Sequence, residues 1–488
     1  MFTTLAFGGV HVWAISIFEV TIFSLLLIWG ASFFLRRRHQ NTHTSEYLDS
    51  NLRGVYIFLV IFITAGFLQT IPVSPTMLQN LSPKAYLLYS QTIEGFYQIS
   101  SLHTLHRSVS LYPFATEATI LKWMAQFGVF FLVAQNVKSS ASVKRMATAI
   151  LVIGVIEAGL GSYGYFAKKF YHSQLSTVNA SVLVASGSFI NRNHYASFLG
   201  LIIPFGIGYL ATYFPFERFR NRGFQSAVRE FIRSGAARKS GIIVLALFFI
   251  GAGQILSFSR AGLFSLFMSL LVMLGLVVMR TRFQFALGSF FFIFLLTVLW
   301  LWISPLAGGA DLEVNLRWKV WNLSWNVIKD FPLWGTGAGT FQHIFRHYAS
   351  NDLNQAVLFD HAHNDYLEVL LETGVIGFVL LAMAFILFWR IVLQHWRKSH
   401  AELKFLALGG LGSFTYLAIH SLADFSFHIP ANALLFFLIL GLSYSSVKAS
   451  REKQAQKTRS GRPMEGGRTA KRHGGRRLGR AMEGGRPV

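Results

Sequence analysis

The chain contains no cysteine in 488 residues. That absence excludes a disulfide scaffold, a thiolate-ligated zinc or iron–sulfur centre, and thiol catalysis. Charge is also scarce: 13% of residues are charged, against about 25% in a typical soluble protein. What fills the space is apolar. Hydrophobic residues make up 53% of the chain, with 48 Phe and 11 Trp, and the mean hydropathy is +0.46. A soluble globular protein does not fit these values. Acidic residues are the scarcer charge, 21 against 44 basic, for a formal net charge of +23. Such a balance can attract nucleic acid or anionic lipid, so its placement matters more than its sum.

Long apolar runs decide the class. A helix crossing ~30 Å of hydrocarbon needs about 20 mostly apolar residues. Eleven segments qualify: 12–35, 54–73, 120–137, 146–166, 195–214, 241–258, 262–279, 284–304, 367–390, 405–422 and 431–448. The expectation is an all-α polytopic membrane protein with eleven spans, or twelve if one hides in 74–119. The first run lacks a basic region before it and a small-residue cleavage site behind it, so it reads as a retained helix. Basic residues fall on alternate connections, in 36–53, 138–145, 215–240, 280–283, 390–404 and from Lys448 onward. By the positive-inside rule this places the C-terminus in the cytoplasm and the N-terminus outside. Residues 449–488 carry 12 Lys/Arg against three Glu, are Gly-rich and repeat Met-Glu-Gly-Gly-Arg. They read as a disordered cytoplasmic tail drawn to lipid headgroups rather than nucleic acid. The expected division is 1–190, N-terminal spans; 191–448, a catalytic membrane region; and 449–488, the tail.

The outer elements then hold the chemistry. They are the loops 74–119 and 167–193, the tight turn Ser259-Arg260-Ala261-Gly262, and a long loop over 305–366. Within the last, Leu316, Trp318, Val320, Trp321, Leu323, Trp325, Val327 and Ile328 recur at near-helical spacing, which predicts an amphipathic helix at the membrane–water boundary, ended by Asp330-Phe331-Pro332. Arg317 opens it. Arg260 sits between two apolar spans, where an arginine is costly without a partner. Gly335-Thr336-Gly337-Ala338-Gly339 lacks the Lys-Ser/Thr ending of a P-loop and reads as a turn that lets backbone approach a substrate.

Asp360-His361-Ala362-His363-Asn364-Asp365 is the densest polar cluster. His-x-His with flanking Asp can ligate zinc, but no second cluster in the sequence obviously completes a sphere. A neutral histidine suits a general base acting on a sugar hydroxyl. Arg192 and His194, in Asn191-Arg192-Asn193-His194, either contact substrate or anchor a helix end. Glu157, Glu368, Glu372 and Asp424 lie within apolar spans or beside them and are costly unless paired; Glu368 and Glu372 share one helix face and are placed to orient arginines. Two arginines and a histidine on the outer face suit a phosphorylated, membrane-presented substrate, since Arg grips phosphate oxygens bidentately.

These residues carry a resemblance. Ser259-Arg260-Ala261-Gly262, Arg317 with Trp321, Pro332 followed by Gly335, Gly337 and Gly339, His363-Asn364 with Gly374, and His420-Ser421-Leu422-Ala423-Asp424-Phe425 through Pro430-Ala431-Asn432 together resemble the O-antigen ligase family over roughly 190–445. The resemblance implies a bacterial inner-membrane glycosyltransferase with a periplasmic active site. Its donor would be a glycan on undecaprenyl pyrophosphate and its acceptor a lipid A–core sugar, with no cofactor, no metal and an inverting mechanism. His363 would be the base and Arg260 and Arg317 the pyrophosphate ligands. Arg192, His194, His361, Asn364, Glu368 and Glu372 are the further candidates for substrate contact. A repeat-unit polymerase of the same superfamily and a lipid-linked sugar transporter are the alternatives.

Overall fold

The computed structural model describes residues 2–39, 49–97, 106–175, 183–214, 224–278, 310–349, 359–398 and 403–460. The described chain is helical, and its one bridge of strand type joins Val73 to Arg107. In chain order the helices are α1 (Phe2–Leu5), α2 (Val12–His39), α3 (Arg53–Leu68), α4 (Pro75–Leu81), α5 (Pro83–Tyr97), α6 (Pro113–Asn136), α7 (Ser140–Leu175) and α8 (Arg192–Ala211). They continue with α9 (Phe224–Arg233), α10 (Gly235–Leu256), α11 (Arg260–Val278), α12 (Ala310–Asp330), α13 (Phe341–Tyr348), α14 (Asp365–Lys398), α15 (Lys404–His420) and α16 (Pro430–Ser460).

Nine helices among the described residues are long and apolar enough to cross a bilayer. The protein is an all-α, multi-pass membrane protein. The expected run 284–304 lies outside the described residues. The expected run 405–422 is α15, whose 17 residues extend about 25 Å at ~1.5 Å per residue, short of the ~30 Å core. It is buried at the centre of the bundle against α8, α11 and α16.

Helices in lipid gain little from burying apolar surface against one another, so close approach and hydrogen bonds hold them. The α8–α15 pair shows both. A Cβ on Gly208 would lie 2.5 Å from the Phe405 carbonyl oxygen, and one on Gly409 would lie 2.8 Å from that of Pro204. Ser413 Oγ donates to the Leu201 carbonyl at 2.6 Å, and Tyr416 Oη to that of Ala196 at 2.9 Å. This contact sets the N-terminus of α8 beside the C-terminus of α15, where the site is built. At the basic end of the bundle, Lys448 Nζ donates to Asp49 Oδ2 at 2.8 Å and ties the start of α3 to α16.

A second hydrophobic cluster lies apart from the main core and forms a cap. Val320, Val327, Ile328 and Phe331 from α12 and its end pack with Phe341, Ile344 and Phe345 of α13, Leu78, Ala85 and Val109 from the 75–109 region, and Leu371 of α14. The amphipathic helix therefore ends at Asp330 as its sequence indicates, but it packs into a protein core, with Trp318 and Trp325 left exposed. The segment 74–119 is not a plain loop: α4 and α5 occupy it, each too short to span, and α6 begins at Pro113. The C-terminal helix also runs to Ser460, into the stretch expected to be disordered. Glu452, Lys453, Gln454, Ala455 and Gln456 are good helix formers.

One irregularity shapes the cap. Inside α14, Gly374 adopts φ 64°, ψ −175°, a region open essentially to glycine alone. The break exposes backbone groups that the glycine-rich turn takes up. Thr336 N donates to the Leu371 carbonyl at 3.0 Å and Gly337 N to that of Glu372 at 2.9 Å, while Val375 N and Ile376 N donate to the carbonyls of Pro332 and Leu333 at 2.9 and 3.2 Å.

Candidate functional site

Immediately before α14 the chain makes a tight turn. Asn364 caps the helix, its Oδ1 accepting from Tyr366 N and Leu367 N at 3.1 Å each. The preceding residue, His363, sits at φ 50°, uncommon for a residue with a Cβ and a pattern found at sites where strain serves function. Trp321 Nε1 donates to the Ala362 carbonyl at 3.0 Å and fastens the turn to α12.

The His363 ring faces Asp424. Its Nδ1 lies 3.5 Å from Asp424 Oδ1, and His194 Nε2 approaches the same oxygen at 3.7 Å. Asp424 is fully buried, and its Oδ1 also accepts from Phe425 N at 2.9 Å. Burial pushes its carboxyl up, but the facing imidazoles of His194 and His363 outweigh that and hold it well below the usual carboxylate range. Asp424 is thus an anion among imidazoles. Arg317 reaches the same turn, with Nη1 donating to the Ala423 carbonyl at 2.5 Å. The Phe425 ring touches three imidazoles: it stacks on His361 at 4.2 Å and meets His194 and His363 edge-on at 4.6 and 4.9 Å.

Beside this lies a second network. His361 Nδ1 is 2.6 Å from Glu368 Oε1, and Ala362 N donates to Glu368 Oε2 at 2.9 Å. His428 Nδ1 is 2.9 Å from Asp365 Oδ1, while Asp365 Oδ2 accepts from Ser421 Oγ at 2.6 Å and Phe427 N at 3.1 Å. Burial pushes the His428 imidazole down, but Glu368 and Asp365 together hold it up at about 9.

The remaining arginines enter through α8 and α11. Asn191 caps α8 through Asn193 N at 2.8 Å, and Asn193 Oδ1 accepts from Ser259 Oγ at 2.9 Å. Arg260, the first residue of α11, therefore follows a serine fixed to the segment that carries Arg192 and His194. Arg192 and Arg260 are both half-buried. Phe258, two residues before Arg260, has φ 51°. It and His363 are the non-glycine residues with positive φ among those described.

The geometry brings His363, Arg317 and His194 onto one turn around Asp424 and connects Arg260 to it through Ser259 and Asn193. It corrects two sequence expectations. Among the described residues neither Glu368 nor Glu372 is ion-paired with an arginine: Glu368 serves histidines, and Glu372 Oε1 accepts from Phe341 N at 3.0 Å. The glycine-rich turn does not present its backbone to a substrate, because the N–H groups of Thr336 and Gly337 are spent on α14. Glu157 is paired within the structure, accepting from Ser188 Oγ at 2.9 Å and so fixing the segment before α8. Asp365, Ser421 and His428 carry no assigned site role in the sequence reading; the signals were the place of Asp365 in the 360–365 polar cluster and the polar side chains scattered through 421–428.

No curated protein matches the chain. Residues 245–382 match the family model described as O-Antigen ligase. That stretch contains Arg260, Arg317, the glycine-rich turn, His363 and Gly374, whereas Asp424 and His194 lie outside it and join by folding. Over residues 245–382 the chain is similar to the O-antigen ligase family.

Proposed function

We propose that the protein is a glycosyltransferase that moves a glycan from undecaprenyl pyrophosphate to a hydroxyl of a lipid A–core sugar, at the periplasmic face of the bacterial inner membrane. What supports this most is the turn at His363. A partly exposed imidazole, 28% accessible at the side chain, is held in a strained backbone conformation against a buried carboxylate, with Arg317 docked on the same turn. With Nδ1 turned to Asp424, Nε2 is the nitrogen left to accept a proton, and the carboxylate both orients the ring and stabilises the imidazolium that forms.

The step then balances without a redox partner. His363 removes the proton of the acceptor hydroxyl, and the oxygen attacks the anomeric carbon from the face opposite the leaving group. The bond from that carbon to the pyrophosphate oxygen breaks, and the pyrophosphate departs with the electron pair and inverts the anomeric centre. Arg260 and Arg317 take up the charge that develops on it. His194, Arg192 and Asn364 shape the surroundings of the transferred sugar.

The test is reconstitution of the purified protein with an undecaprenyl-pyrophosphate glycan, with and without a lipid A–core acceptor, and analysis of products by mass. Glycan on the acceptor, only when it is supplied, and loss of that product in His363→Ala support the proposal. Longer chains still on the carrier without added acceptor make the protein a polymerase instead, and carrier movement with no new glycosidic bond makes it a transporter.

A further inference from the structure

The second network has the form of a ligand sphere. His361 precedes α14, Glu368 lies in its first turn, and His428 comes sixty residues after Glu368, just before α16. Ligand-capable atoms of all three lie within 4.8 Å of one another. A tetrahedral ion with bonds of ~2.0–2.1 Å sets neighbouring ligand atoms about 3.3 Å apart. His428 Nε2 lies 3.2 Å from Glu368 Oε1, already that spacing. His361 Nδ1, at 2.6 Å from the same oxygen, has to withdraw by about 0.7 Å to reach it, and its side chain is 29% exposed.

Two further observations point to a ligand. The His428 side chain is only 7% exposed, and its buried Nε2 makes no hydrogen bond, being held to Glu368 Oε1 only by the 3.2 Å ion pair whose proton a bound metal replaces. Its other nitrogen is backed by Asp365, whose second oxygen is fixed by Ser421 and the Phe427 amide. A carboxylate behind an imidazole is the arrangement that sets tautomer and orientation in metal-binding histidines. Two imidazoles and one carboxylate favour zinc and its neighbours over magnesium or calcium, which take oxygen-rich shells.

We propose that His361, Glu368 and His428 bind one divalent transition-metal ion of the zinc class, with water in the fourth position, and that the ion clamps the turn before α14 to the turn before α16. The ion takes no part in the transfer step, whose base faces Asp424. Its effect is to hold the loop that carries that base.

The test reads metal binding, so its outcome is separate from that of the transferase assay. The full chain, purified without a histidine tag and stripped with chelator, is titrated with Co(II). One equivalent giving the intense visible absorption of tetrahedral cobalt, displaced by Zn(II) but not by Mg(II), is expected. His361→Ala and His428→Ala each weaken binding by roughly 100-fold or more, and Asp365→Asn by about 10- to 100-fold. His363→Ala leaves it unchanged. If His428→Ala fails to fold, as judged by its melting curve, the partly exposed His361→Ala decides. Absence of the tetrahedral spectrum, or a spectrum that survives His361→Ala, overturns the proposal.

Discussion

Replacing Gly374 with alanine tests the joint between cap and bundle. A Cβ at this position would lie 2.2 Å from the Leu333 carbonyl oxygen and 2.6 Å from Gly335 N. Both are backbone atoms, so no side chain can swing aside. Holding a non-glycine residue at φ 64°, ψ −175° costs about 1–3 kcal/mol. Relieving the clash separates the turn from the helix and sacrifices at least the Val375–Pro332 and Ile376–Leu333 hydrogen bonds, another ~1–3 kcal/mol at a net 0.5–1.5 each. The sum is a destabilisation of about 2–6 kcal/mol, read as a melting midpoint lowered by roughly 2–6 °C in detergent for a chain of this length. Gly275→Ala is the control. It lies inside α11 with open space around the missing Cβ, so alanine there leaves the midpoint unchanged or raises it. A Gly374→Ala protein that melts within a degree of the parent, or a control that falls as far, would refute the reasoning.

Other outcomes follow from the site and from the basic end. Asp424→Asn is expected to cut turnover about 10²- to 10⁴-fold, the usual contribution of a positioned base, with donor binding retained; near-native turnover would detach the carboxylate from His363. Arg260→Lys and Arg317→Lys are expected to lose most activity because lysine cannot make two parallel contacts with phosphate oxygens, measured as product formed at saturating donor. Asp49, buried beside Lys448, has its carboxyl pushed up by burial but held down at about 2 by Lys448 and Tyr444. Its folded-state pKa is depressed, so its stabilisation is present above about pH 4 and fades as pH falls toward about 2. Asp49→Asn should therefore lower the stability at pH 7 by about 1 kcal/mol once solvent screening is allowed for, and the gap to the parent should close near pH 2. A gap that persists there would show that the effect is not electrostatic.

The parts legible in the sequence were those governed by local pattern. Apolar length gave nine of the eleven expected spans among the described residues, and the Trp-rich periodicity up to Asp330 gave α12. The harder parts depend on partners far along the chain. Glu368 and Glu372 share a helix face, but whether an arginine or a histidine meets them depends on where the turn at 426–428 folds back. The His361 cluster lacked an evident second half because His428 meets it from the turn at 426–428, far along the chain. The glycines of the 335–339 turn signal close approach, yet nothing local says that the approaching backbone is that of α14. Polar side chains in 74–119 concealed two short helices whose stability comes from the cap rather than from their own length.

The joint at Gly374 also bears on how such a protein diversifies. Four backbone hydrogen bonds join the 332–337 turn to the broken helix, and amide groups are the same whatever side chains surround them. Given glycine at 335 and 374, where added Cβ atoms would strike backbone, the docking is indifferent to the rest of the sequence. The cap can then be exchanged between distant relatives, or drift in sequence, while His363 stays in register with Asp424 opposite it. A chimera joined between residues 374 and 375 would keep two of these bonds within the N-terminal parent, form the other two between the parents, and so retain all four.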